Sequence, residues 1–176
     1  FREDPGFKIE TLSIPPELVV SRIKGGGKEL MQRVESYRHL AMWVVAARCE
    51  TEGSIHRGPL GPLIRYTLDE IDMRKIRTAA ALIARTHFAA GARWVIPGLY
   101  GTPWRIGPDE VHLIEKASLN PAHWLCILSH LFGGCVMGSD PSRSVCDANG
   151  KVHGYEGLMI ADASMIPTNL GVNPQH

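Results

Sequence analysis

The stretch "HLFGGCVMGSDPSRSVCDANGKVHGYEGLMIADASMIPTNLGVNPQH", residues 130–176, decides how this chain is read. It holds four pieces with separate physical meanings. His130 stands beside Gly133-Gly134 and Gly138, so a titratable imidazole sits in a loop whose backbone can approach a flat ligand closely. With an ordinary pKa near ~6.5 it is a natural general base, and the competing reading is a surface histidine in a glycine loop. Asn149-Gly150 is a hairpin-turn dipeptide between "SVCD" and "KVHG", and His153 belongs to that hairpin. "LMIADAS" reads as a buried apolar strand, Leu158 to Ala161, with Asp162 directly after it. A carboxylate beyond a strand's carboxyl end can accept hydrogen bonds from ligand hydroxyls, or it can simply cap a turn. Finally, Asn173-Pro174 has the chemistry of a helix start, N-cap followed by Pro in the first turn. The free N–H groups and partial positive charge of such a terminus can stabilise developing negative charge.

Upstream, the clearest element is "TLDEIDMRKIRTAAALIARTHFAAGA". Thr67 and Glu70 have capping-box spacing, and Met73, Ile76, Ala80, Ile83 and His87 recur at helical intervals, which predicts one buried face. Gly91 is a C-terminal stop. His87 on that face reads as a packed histidine. Before this helix, Phe7 and Ile9 alternate as in a short strand that Pro15-Pro16 breaks. Gly25–Gly27 form a turn, Lys28–His39 looks helical, "LAMWVVAARCE" and "LIRYTL" read as strands, and "TEGSIHRGP" has turn chemistry at Glu52-Gly53 and again at Gly58-Pro59. Strands joined by short turns predict an antiparallel sheet. "RWVIPGLYGTPWRIGP" is a loop, with a short helix over Asp109–Lys116.

Composition narrows the classes. The chain has 176 residues, 44% apolar and 21% charged, as in ordinary globular proteins. A net charge of +1 and scattered basic residues argue against a nucleic-acid binder. The longest apolar run, Leu40–Ala47, falls far short of the ~20 residues of a membrane span. Cys49, Cys126, Cys135 and Cys146 form no C-x-x-C pair. They are expected to be reduced, at least partly buried thiols, with no metal site, in a cytoplasmic compartment. Several motifs fail outright. "GGGKE" lacks the hydroxyl residue that a phosphate-binding loop needs after its lysine. No G-x-G-x-x-G, nucleophile elbow or H-E-x-x-H occurs.

The ordered set "HLFGGCVMG", "SVCD", "VHGYEGLMIADASMIPTNLGVNPQH" strongly resembles the C-terminal signature of the glucose–methanol–choline (GMC) family of FAD-dependent oxidoreductases. "GPLGPLIRYTLDEIDMRKIRTAAALIARTHFAAGA" looks like that family's substrate-binding region. The resemblance implies an α/β (α+β) portion of a larger enzyme. Residues 1–122 would be a substrate-binding antiparallel sheet with covering helices, and residues 123–176 the C-terminal part of a Rossmann-like FAD-binding domain. It implies His130 as base toward an alcohol hydroxyl while hydride leaves the carbinol carbon for FAD, with Asn173 hydrogen-bonding the substrate oxygen. Asp162 and Ala163 would contact the ribityl or pyrophosphate part, and backbone at Pro174 and Gln175 the pyrimidine end.

The implied partners are a small-molecule alcohol (sterol, long-chain or sugar alcohol) and an N-terminal FAD-binding half absent from this chain. The chain departs from the family at Gly134, where Thr is common, in lacking the helix after His176, and in lacking the pyrophosphate motif. It is therefore expected to be a portion of a longer enzyme, inactive alone. The rival readings are a stand-alone, non-catalytic ligand- or partner-binding module that kept the fold remnant, and a metal-dependent hydrolase using scattered His and Asp residues.

Overall fold

The computed structural model describes residues 5–171, so Asn173, Pro174 and Gln175 lie outside the described residues. The described residues form two compact units divided between Cys126 and Ile127. Regular structure is mixed helix and small antiparallel sheets, in keeping with the α/β expectation at that level.

In the first unit, β1 (Phe7–Leu12) pairs antiparallel with β2 (Met42–Ala47), from Phe7 opposite Ala47 to Leu12 opposite Met42. Between them lie α1 (Pro16–Val20), α2 (Gly27–Val34) and a 3₁₀ turn at Tyr37–His39. The helix expected over Lys28–His39 is thus two pieces. A second ribbon joins β3 (Ser54–Gly58) to β4 (Gly61–Arg65). Gly58-Pro59 turns as its chemistry predicts, and Ser54, Ile55, His56 and Arg57, between the two turn signals, form a strand that the sequence reading does not name.

The long helix α3 (Glu70–Ala89) organises this unit. Its cap is Asp69, not Thr67 as the spacing predicts: the Asp69 carboxylate accepts the Asp72 N–H at 2.8 Å. An acidic cap beside the helix's positive end outcompetes a hydroxyl two residues earlier. The helix ends in a Schellman turn. Ala92 N–H reaches His87 O and Gly91 N–H reaches Phe88 O, both at 2.9 Å, with Gly91 at φ 91°. Of the predicted face, Met73 is fully buried, while Ile76, Ala80, Ile83 and His87 are half-buried. The deepest contacts come from the smaller Ala81 and Ala84, which let Leu99, Ile106, Val111 and Ile114 close over the helix. Those residues come from the aromatic loop and from α4 (His112–Glu115). The loop is pinned by reciprocal Val95–Ile106 backbone bonds of 3.1 and 2.9 Å, which drive Ile106 to complete burial. His87 is packed, its ring 4.7 Å from that of Trp43 on β2, and burial pushes its pKa down.

Among the described residues Asp72 is the one charged side chain that is fully buried. It accepts N–H bonds from Glu50 and Thr51 at 3.0 Å each and the Thr51 hydroxyl at 2.8 Å, and it pairs with Lys75 Nζ at 2.9 Å. Thr51 Oγ1 also accepts the Asp69 N–H at 3.0 Å, so the cap and the carboxylate share one network.

The second unit holds itself together with little regular structure. Gly133 N–H and Cys135 N–H donate to Ile166 O and Ser164 O, each at 2.9 Å, a short antiparallel ladder. Single bridges join Cys146 to Met137 and Val152, and Lys151 to Met159. Aspartate and asparagine side chains do what helix caps do elsewhere. Asp140, Asp147, Asp162 and Asn169 each accept a backbone N–H two residues on, at 2.7 to 2.9 Å. The Asn149-Gly150 turn forms as expected, with Asp147 N–H bonded to Lys151 O at 2.9 Å.

The buried strand expected at Leu158–Ala161 does not form here. Leu158 and Met159 are about half exposed, because an apolar strand is buried only where neighbours on both sides cover it. The four cysteines are free; Cys146 is buried, Cys49 and Cys135 half-buried, and Cys126 exposed, which departs from the expectation of burial.

Two stability predictions follow from these contacts. Burial opposes ionisation of Asp72, but the bonds from Lys75, Thr51 and Glu50 outweigh it and hold the carboxyl below its ordinary value. Its stabilisation is therefore present above the unfolded pKa of about 3.9 and is lost as pH falls through the lower folded value. Asp72→Ala should cost about 3 kcal/mol at pH 7, and the deficit should shrink below about pH 4, as read by urea unfolding at both pH values. At Gly150, φ is 80° and an added Cβ would lie 2.3 Å from Ile160 O. Gly150→Ala should lower stability by about 2 kcal/mol or more, measured by thermal unfolding.

Candidate functional site

The candidate residues within the described range all lie in the second unit, and the ladder fixes their order. The Gly133–Ile166 and Cys135–Ser164 bonds run antiparallel. His130 therefore precedes the ladder at its Ile166 end, while Asp162 and Ala163 lie beyond Ser164 at the opposite end. The fold brings these residues onto one backbone framework without placing them in contact.

His130 is exposed and sits at φ 54°, the single non-glycine residue with positive φ among those described. Such a conformation is uncommon, though histidine tolerates it better than most residues. The chain reverses sharply there and again at Gly133, whose φ is 79°. Gly134 is different in kind. A Cβ built on it would meet only Ser164 Cβ, at an ordinary 3.6 Å, so packing leaves room for the threonine expected at this position.

Asp162 caps the 3₁₀ turn Ala163–Met165, its Oδ1 accepting Ser164 N–H at 2.7 Å. Hydrogen bonding from Ser164 holds its carboxyl below the usual range. The carboxylate is thus ionised near neutral pH. It is exposed. A carboxylate has two acceptor oxygens, so capping the turn does not by itself preclude a further hydroxyl donor there. Ala163 is half-buried beside it.

His153 takes a structural place. Its Nε2 lies 3.1 Å from Gly138 O and 3.2 Å from Ser144 Oγ, tying the Asn149-Gly150 hairpin to the segment after the ladder. With Nε2 donating to Gly138 O, it cannot also deprotonate Ser144, whose hydroxyl lies 2.6 Å from Asp140 O. Sequence reasoning did not single out Ser144. The only available signal was its position between two candidate loops. An open recess of about 240 Å³ in this unit is lined by Gly138, Asp140, Arg143 and Ser144 and includes neither His130 nor Asp162. Among the described residues, no three His, Cys, Asp or Glu side chains are grouped to hold a metal ion, and no helix is long and apolar enough to cross a membrane.

An uncharacterized GMC-type oxidoreductase of Mycobacterium tuberculosis is 30% identical over 176 residues, covering 99% of this chain and 28% of the relative. A long-chain-alcohol oxidase of Arabidopsis thaliana is 25% identical over 183 residues, covering 97% of this chain and 24% of its own length. A cholesterol oxidase of Acinetobacter baumannii is 46% identical over 46 residues, 26% of this chain and 8% of that enzyme. The chain thus spans about a quarter of the length of the relatives that it matches over nearly all of its own residues. No solved structure matches it significantly. A family model described as GMC oxidoreductase matches residues 50–176, and this chain belongs to that family.

Proposed function

We propose that this chain is the C-terminal portion of an FAD-dependent oxidoreductase that oxidises a hydrophobic alcohol. The observation that carries the proposal is the family match over residues 50–176, which takes in every candidate residue in one continuous run. The relatives named for long-chain alcohols and for cholesterol favour an apolar CH–OH donor.

The donor set fits a flavin nucleotide. The ladder separates an imidazole at one end from an ionised carboxylate at the other, and an elongated cofactor presents different chemistry to each. FAD, when bound, supplies the acceptor for the hydride. His130 takes the proton from the alcohol oxygen through a ring nitrogen, which raises electron density at the carbinol carbon as hydride departs. The chain turns at its left-handed backbone, and Gly133 and Gly134 just after it offer bare backbone. Asp162 accepts hydrogen bonds from ribityl or ribose hydroxyls through the oxygen not used by Ser164, and Ala163 packs against the same part. Asn173 hydrogen-bonds the substrate oxygen, and backbone at Pro174 and Gln175 meets the pyrimidine end. The pyrophosphate cradle comes from an N-terminal half that pairs with this portion, and the first unit contributes the substrate side.

The test uses the full-length protein. Oxidised flavin absorption should bleach on anaerobic mixing with a long-chain alcohol or a sterol, and a flavin-loaded protein that no alcohol reduces would refute the assignment. His130→Ala should slow flavin reduction by ~10²-fold or more in stopped flow, with flavin content unchanged. Asp162→Ala should instead weaken flavin retention by about tenfold, measured by flavin release on dilution, and leave the reduction rate of the flavin-loaded fraction near wild type.

A further inference from the structure

The β3–β4 hairpin carries chemistry that the redox reading does not use. Among the described residues its strands pair only with each other, and a lone two-stranded ribbon is marginal in water. Its turn is the dipeptide Pro59-Leu60 between the paired Gly58 and Gly61. A Cβ on Gly58 would lie 2.7 Å from Gly61 O, and Pro59 fixes its own φ, so the tip is stiff. Leu60 is exposed over its whole surface (102%). Behind it, the cross-strand pair Ile55 and Ile64 are each 66% exposed and Leu63 is 47% exposed. Single exposed apolar residues are ordinary, but a contiguous set on a projecting element marks an interaction site.

Charge tells what the site fits. From Ser54 to Thr67 there is no Asp or Glu, while Arg57, Arg65 and His56 are all present. Among the described residues Arg57 and Arg65 enter no salt bridge. The register sets Arg57 opposite Pro62, one step behind the tip, and Arg65 opposite Ser54 at the base. An open recess of about 560 Å³ on the hairpin brings Ile55, Arg57, Pro59 and Pro62 around one space. Side chains alternate across the ribbon, so Arg57 shares one face with Ile55, Pro62 and Ile64, directly behind the apolar tip, while Arg65 lies at the base on the other face. An apolar protein groove would strip water from Arg57 unless it supplied a carboxylate. A bilayer surface offers phosphates at one depth and acyl chains just below.

We infer that the β3–β4 hairpin docks the protein on an anionic lipid surface, with Pro59 and Leu60 entering the acyl boundary and Arg57, one step behind the tip, meeting lipid phosphates. The inference stands apart from the redox chemistry, since docking needs no turnover. A lipid surface is also where a water-insoluble alcohol collects.

Sedimentation of the full-length protein with vesicles tests it. Binding to phosphatidylcholine–phosphatidylglycerol vesicles should exceed binding to phosphatidylcholine alone and should weaken as salt is raised. Leu60→Asp should reduce partitioning about tenfold or more, and Arg57→Gln about fivefold on the anionic vesicles only. Leu60 touches nothing that holds the fold, so an unchanged circular dichroism spectrum separates lost docking from lost structure. Tryptic cleavage at Arg57 should be suppressed when vesicles are added. Absence of wild-type binding to anionic vesicles, wild-type affinity in Leu60→Asp, or an Arg57 site already protected without vesicles would each overturn the inference. The last result would assign the hairpin to a protein partner.

Discussion

The first unit depends on a carboxylate that has no access to water. Asp72 is drawn inward by two backbone N–H groups, a hydroxyl and an ammonium, and in return it fixes where the chain leaving β2 meets the start of α3. Thr51 links that carboxylate to the Asp69 cap through one oxygen that donates on one side and accepts on the other. Hydrogen bonds in such a chain polarise each other, and the loss of one leaves the others poorly satisfied. The helix direction set there determines which face of α3 meets the aromatic loop, and so where Ile106 and Leu99 are buried.

The second unit solves a different problem. Beyond Cys126 the chain is about as rich in apolar residues as the rest, but among the described residues it has no long element to bury them against. It uses short side-chain-to-backbone bonds from Asp140, Asp147, Asp162 and Asn169 to set successive turns, and isolated bridges to join them. This construction fixes backbone direction from turn to turn while leaving many side chains outward.

Much of this was legible because the signals were local. The period of α3, the glycine at its end and the Asn-Gly turn each depend on neighbours within a few residues, and each formed where expected. The family was legible because several short motifs occur in one order. The errors came from competition or distance. Thr67 had a cap's chemistry, but Asp69 was better placed. Asp72 reads as an exposed acidic residue in a helix's first turn, and nothing in its neighbourhood announces partners at Glu50 and Thr51. Ile55 and His56 were lost among turn glycines. Leu158–Ala161 has the composition of a buried strand, and composition cannot say which polypeptide provides the cover. For the candidate site, the residue types at His130 and Asp162 were readable, but their separation along a ladder was not. That separation is set by the Gly133–Ile166 and Cys135–Ser164 pairings across some thirty residues of sequence.

The backbone at His130 carries a local cost. At φ 54° glycine would be at ease, and most side chains cost folding energy on the order of 1 kcal/mol there. The imidazole is exposed, so core packing by its own side chain does not offset that cost, and the turn it makes is held by the bonds of the segments that follow.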